Sequence, residues 1–254
     1  MGSCIQIQVK NVFVISLCLL LGSCSKEQRD DCFTRAGDVK TETRTVASFT
    51  QIESNDRLQI ILIQDSSKAG TIELTGPENL LPQIKTEVEN GILRLFNTNT
   101  CNFVRSFEIS FELKVFINKL DRIKTKGNTA ITSQDTLWLD ELSIFHNALS
   151  DVELTVVVER EVYINSFNSA LTILHGRSKT LKGSIEEVSG VDARDLRCDE
   201  VLLDQHSPVD CYIDGTRLIY VKIYNTGNIY YMREPTLYKD LNYRRSSGDL
   251  ILFQ

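Results

Sequence analysis

Residues 201–231 read VLLDQHSPVDCYIDGTRLIYVKIYNTGNIYY, one structural unit followed by most of the next. Val201 opens a short run in which apolar residues alternate with others, and a tight polar turn follows at His206-Ser207-Pro208. The pattern restarts at Val221, with its own turn at Asn225-Thr226-Gly227. Alternation of this kind marks a strand with one buried face. Working outward toward the N-terminus, the apolar markers stand at Ile123, Leu142, Val162, Leu181, Val201 and Val221, at intervals of 19, 20, 19, 20 and 20. Small residues at Ala130, Ala148, Ala170, Gly190, Pro208 and Gly227 keep step with them. A repeat of strand, turn, strand and connection cannot bury its apolar face alone, whereas stacked copies bury one continuous core. Residues 120–254 are therefore expected to form a right-handed parallel β-helix with a C-terminal cap. The alternative is a β-sandwich, whose strands have no reason to hold one period through six units.

Upstream, residues 32–119 are expected to be an antiparallel β-rich part, making the chain all-β. Phe107, Ile109, Phe111, Leu113, Val115 and Ile117 alternate with mostly polar residues. The segment TEVENGILRLF reads as a hairpin, because Asn90-Gly91 can both take the positive φ of a type I′ turn. LQIILI and TIELTG add two strands, and GPENLLPQI one helical turn opened by Pro77.

Residues 1–23 read differently. The apolar run Val12–Leu21 is ten residues long, too short to span a bilayer, which takes about 20. It follows the positive Lys10 and ends at Leu-Gly-Ser-Cys, which resembles the bacterial lipobox. Cys24 is thus the expected first residue of the mature chain, carrying diacylglycerol and fatty acid (palmitate). Residues 24–31 form a polar tether that resembles the export tags of some surface lipoproteins. The membrane is then a partner through the anchor, with the outer membrane and its cell-surface face expected.

The formal net charge is −6, and loss of Lys10 with the leader makes the mature chain one unit more negative. No basic stripe remains for nucleic acid. Four cysteines stay in the oxidising compartment, and these allow three pairings. Cys32 with Cys101 and Cys198 with Cys211 is the favoured arrangement, with buried free thiols the alternative for the second pair. No C-x-x-C pair occurs, so no metal or other cofactor is expected.

No catalytic residue is expected either. His146, His175 and His206 fall at different points of their repeats and belong to no zinc or triad motif, so they read as turn or surface residues. The loop VDARDLRCDE offers Asp192, Arg194, Asp195 and Arg197 for sugar chemistry, and a polysaccharide lyase or hydrolase is the alternative function if they converge in a groove. Neighbouring opposite charges more often form surface ion pairs. Six of the eight tyrosines crowd the last forty residues. Among them Tyr220, Tyr224, Tyr230 and Tyr231 could bind a glycan or protein partner, or close the end of the solenoid. Unpaired strand edges also permit a homo-oligomer.

Four stretches carry a family resemblance: RTVASFTQIESNDRLQIILIQD, GPENLLPQIKTEVENGILRLFNTNTCNFVRSFE, LDRIKTKGNTAIT and NTGNIYYMREP. Together they resemble the putative auto-transporter adhesin, head GIN domain family of secreted lipoproteins, from about Cys32 to the C-terminus. The resemblance implies an all-β chain with a β-helical body, residues 32–254 as one continuous unit, and no catalytic residues. It also supports pairing Cys32 with Cys101. Gly127-Asn128-Thr129, Arg233-Glu234-Pro235 and the closing YRRSSGDLILFQ depart from the family pattern. A surface adhesion or binding protein is the function implied, with a purely structural envelope protein as a further alternative.

Overall fold

The structure is a computed structural model, and it describes residues 36–55, 57–99, 110–244 and 247–254. The leader, Cys24, the tether and the Cys32–Cys101 pairing lie outside these residues. Seven strands form the N-terminal part: β1 (Val39–Thr45), β2 (Gln51–Asn55), β3 (Leu58–Gln64), β4 (Thr71–Pro77), β5 (Ile84–Glu89), β6 (Ile92–Asn97) and β7 (Glu112–Ile117). Eleven follow: β8 (Arg122–Gly127), β9 (Thr129–Ser133), β10 (Leu137–Leu139), β11 (Leu142–Ala148), β12 (Val152–Asn168), β13 (Leu171–Ile185), β14 (Gly190–Gln205), β15 (Cys211–Ile223), β16 (Ile229–Tyr231), β17 (Tyr238–Arg244) and β18 (Leu250–Leu252). All belong to one hydrogen-bonded sheet wound into a parallel solenoid of about six turns.

Each coil contributes three short walls. The first runs through β8, β11 and the second halves of β12 to β15 to reach β17. The second joins β9, the first halves of β12 to β15, β16 and β18. A third, shorter wall joins β10 to residues 156–158, 176–178, 197–198 and 214–215. Along β11 and β12 the residues alternate inward and outward, so Leu142, Ile144, Val152, Leu154, Val156, Val162 and Ile164 stack into one core with Leu181, Val201 and Val221. Full burial of such a side chain contributes about 1.5–3 kcal/mol.

The observed register refines the repeat. Leu142, Val162, Leu181 and Val201 are consecutive rungs as expected. Ile123 instead faces Ile144, and Val201 faces Ile219 while Val221 faces Leu203. Each is a slip of two residues, which leaves every side chain on its own face. The small-residue marker is buried at Ala148, Ala170, Gly190 and Gly227, but at Ala130 and Pro208 the neighbouring Thr129 and Ser207 occupy the interior instead.

The N-terminal part is less purely antiparallel than expected. Antiparallel pairing joins β1 to β4, β4 to β7 and β5 to β6, the last through Asn90 and Gly91 at φ 52° and 75°. The other strands are solenoid rungs: β6 and β7 lie parallel to β2 and β3, which in turn lie parallel to β8 and β9. The sheet therefore runs without a break across residue 120. A 3-10 turn occupies Leu81–Gln83, with Pro82 rather than Pro77 in its first positions.

Candidate functional site

The third wall carries an open groove of about 870 Å³ along the side of the solenoid. Its floor follows from strand alternation. Leu139, Val158, Ser178 and Cys198 occupy successive rungs and are all buried, so the residue before each points outward. That outward column reads Trp138, Val157, Arg177, Arg197, one residue per coil at rung spacings of about 4.8 Å.

Trp138 is 62% exposed, yet its backbone is held firmly. The Gln64 side chain accepts a hydrogen bond from the Trp138 N–H at 2.7 Å, donates to the Trp138 carbonyl at 3.0 Å, and reaches the Asn118 carbonyl at 3.1 Å. A side-chain amide thus takes the place of a missing neighbouring strand at the edge of β10. Arg177 and Arg197 face each other across adjacent rungs, and neither guanidinium has a salt bridge or side-chain hydrogen bond among the described residues. The rung beyond Arg197 is Asp214, but its buried carboxylate is held at both oxygens by Arg233, at 2.5 and 2.7 Å. Asp140, at the groove's rim, is similarly occupied by Arg160 at 3.0 and 2.7 Å.

The residues singled out for sugar chemistry do not converge. Asp192 accepts from the Arg194 Nε at 2.8 Å, and that hydrogen bond, ahead of all other causes, raises the Arg194 pKa. Arg194 in turn lies 4.0 Å from the Tyr212 ring centroid. Asp195 approaches His175 at 3.5 Å, with Glu153 on the other ring nitrogen at the same distance. Only Arg197 reaches the groove. No group of three or more metal-ligating side chains occurs among the described residues.

His146 is a correction. It is fully buried, between Thr125 and Ser166 in an inward polar column, because it shares the inward parity of Leu142 and Ile144. Its Nδ1 lies 2.9 Å from the Thr172 hydroxyl and its Nε2 2.8 Å from the Ser150 carbonyl. Desolvation lowers its pKa, with the Ser150 bond and Asp151 opposing.

Cys198 and Cys211 are likewise corrected: both are free buried thiols. Cys198 sits on the third wall facing Gly215, whereas Cys211 opens the second wall beside Val191, several residues away along the coil. The Cys211 Sγ donates to the Gln205 Oε1 at 3.3 Å, and burial pushes both thiols up to about 12.

The four tyrosines do not form one patch. Tyr231 is buried, its hydroxyl 2.7 Å from Glu234. Tyr224 stacks on His206 with centroids 4.2 Å apart, at the turn between the first two walls. Tyr220 lies outward on the first wall, across from Leu202. Tyr230 stacks on Tyr212 at 5.3 Å on the second wall, and Phe253 meets both rings edge-on. Arg194, Tyr212, Tyr230 and Phe253 thus form a ladder along the outward side of the second wall over the last coils. Trp138, Arg177 and Tyr212 were missed in the sequence because their significance lies in what stands one coil above and below them.

The family model described as putative auto-transporter adhesin, head GIN domain, matches residues 48–235. Among solved structures, a putative adhesin from Bacteroides fragilis NCTC 9343 is 20% identical, with 85% of this chain and 97% of that one covered and a TM-score of 0.78. A putative adhesin from Parabacteroides merdae ATCC 43184 is 17% identical, with coverages of 86% and 97% and a TM-score of 0.60. A putative lipid binding protein from Parabacteroides distasonis ATCC 8503 is 16% identical, with coverages of 86% and 98% and a TM-score of 0.54. At these identities the likeness is one of fold. No curated protein matches the sequence.

Proposed function

The chain belongs to the family described as putative auto-transporter adhesin, head GIN domain, and from that premise we propose that it is a non-catalytic envelope lipoprotein, anchored through Cys24 and displayed at the cell surface. Its solenoid binds a macromolecular partner along the third wall. The observation that carries this reading is the groove floor, where an exposed indole and two unpaired guanidinium groups share one outward column. Tryptophan and arginine are enriched where proteins meet their partners, relative to the rest of the surface. An open, shallow surface suits an extended ligand better than a small molecule enclosed for chemistry. The lipobox supports the anchor, and no helix among the described residues is long and apolar enough to cross a membrane.

Protease treatment of intact cells, followed by blotting, tests the display. Loss of the protein from unbroken cells is expected, and full protection would overturn surface exposure. Cys24→Ala should move the protein from the membrane to the soluble fraction; retention in the membrane would overturn the anchor.

A further inference from the structure

We propose that the groove on the third wall is a subsite for an anionic polysaccharide, one bearing carboxylate or sulfate groups, with Arg177 and Arg197 as the anion clamp and Trp138 as a stacking platform. This rests on the reading of the third wall as the binding surface. Like charges directly opposite one another across a sheet are destabilising, so the Arg177–Arg197 rung has no folding rationale. Asp214 and Asp140 are committed elsewhere, to Arg233 and Arg160, and of the other carboxylates lining the groove neither Glu159 nor Asp199 forms an ion pair with the two guanidinium groups; Lys179 adds a third positive charge to the lining. Two forked guanidinium groups on adjacent rungs are suited to a planar carboxylate or a sulfate bridging them, by paired charge-assisted hydrogen bonds.

The indole supplies the second half of the specificity. Trp138 stands two rungs from Arg177 and three from Arg197, so the column spans on the order of 14 Å. That length accommodates several sugar units laid parallel to the solenoid axis. A pyranose ring offers an apolar face to an exposed aromatic and its acidic substituent to the arginines further along. Val157 between them is the flat apolar floor over which the chain passes. A globular protein partner would need a far larger complementary area than one narrow groove provides.

Affinity electrophoresis of the purified full chain through gels containing polygalacturonate, heparin or dextran tests the assignment. Retardation by polygalacturonate or heparin is expected, with none by neutral dextran, and the acidic polymer that retards more strongly identifies carboxylate or sulfate as the recognised group. Retardation should fall about ten-fold or more in R177A/R197A, because each substitution removes charge-assisted hydrogen bonds. It should fall by a smaller factor in W138A, and stay unchanged in the control K85A/K182A, which removes the same charge elsewhere. The melting temperature of R177A/R197A should equal or exceed that of the parent, since a repulsive pair is relieved. Retardation by neither acidic polymer, equal retardation by dextran, or retardation undiminished in R177A/R197A would each overturn the proposal. The assay does not depend on where the chain resides. A chain that is shaved from cells but not retarded keeps its display and loses this ligand, whereas one that is retarded but protected keeps the ligand and loses its surface location.

Discussion

The two ends of the solenoid are built by different rules. From β11 onward each coil lies on the coil that precedes it in the chain, so every rung is closed by a neighbour about 20 residues away. Upstream the coils are stacked out of chain order: β2 and β3 lie between β6 and β7 on one side and β8 and β9 on the other. The contact from Gln51 to Arg122 spans 71 residues. Sequential coils add one nearest-neighbour interface at a time. The interleaved coils must close long loops before any interface forms, which costs entropy and slows folding. The N-terminal half is thus a clasp that is either whole or absent, and the C-terminal half is a stack that can lose its last member.

The largest effect should come from breaking the clasp at its centre. Leu62 is fully buried on β3, in register with Val115 on one side and Ser133 on the other. Leu62→Asp places an unpaired carboxylate there at a cost of several kcal/mol, against a total stability of about 5–15 kcal/mol. Loss of the cooperative melt by circular dichroism is expected. The same change at Ile229, on the penultimate coil, should remove only the terminal coils and leave a lowered but cooperative melt. Equal losses from the two sites would show that the halves are not built differently.

A smaller effect should come from the middle of the sequential half. Gly176 adopts φ +108°, and a Cβ there would run into the Val156 carbonyl oxygen on the coil below. Gly176→Ala should cost about 3 kcal/mol, from backbone strain together with displacement of that rung. Its check is the shift in denaturant midpoint. A shift no larger than that of an outward-facing substitution such as Lys182→Ala would mean that the rung is not closely stacked at this corner.

The same contrast explains what could be read from the sequence. Period two and the approximate 20-residue repeat are local properties, so the solenoid and most of its inward column were legible, and the Asn90-Gly91 hairpin with them. A slip of two residues leaves the parity intact, so the repeat places Ile123 and Val221 in the core without giving their partners. The insertion of β2 and β3 between later strands leaves no local trace, because their alternation satisfies either kind of pairing. Trp138, Arg177 and Arg197 each look like an ordinary surface residue until register puts them in one column. His146 was recoverable: it continues the even-numbered series of Leu142 and Ile144, and polarity alone argued for the surface.

That histidine permits a pH test confined to the sequential half. Burial lowers its pKa in the folded chain, so the unfolded chain binds the proton more readily. Its neutral form therefore supports full stability above the unfolded value of about 6.5. Stability should decline as the pH falls below that value, by up to about 1.4 kcal/mol per unit until the folded pKa is reached. The melting temperature should fall between pH 7.5 and 5.5, and the slope should flatten in His146→Gln. An unchanged slope in the variant would assign the pH dependence to groups elsewhere.

The smallest effect concerns thiols, and it asks which half responds to reduction. Cys198 and Cys211 face different walls and are free, so reducing agent has nothing to break in the sequential half. With their pKa values pushed up to about 12, scarcely any thiolate is present at neutral pH to react. Both should resist alkylation until the chain unfolds. Any lowering of the melting temperature by dithiothreitol is then expected to arise from Cys32 and Cys101, which the chain carries before β1 and between β6 and β7. The informative quantity is the shift on reduction rather than the melting temperature itself, since Cys198→Ala with Cys211→Ala also removes buried sulfur. An identical shift in parent and double variant keeps the redox sensitivity with Cys32 and Cys101. A shift that disappears with the double variant would mean that the two thiols meet in solution, which requires the corner between Val191 and Cys198 to fold back across the coil and would undo the three-walled register on which the groove depends.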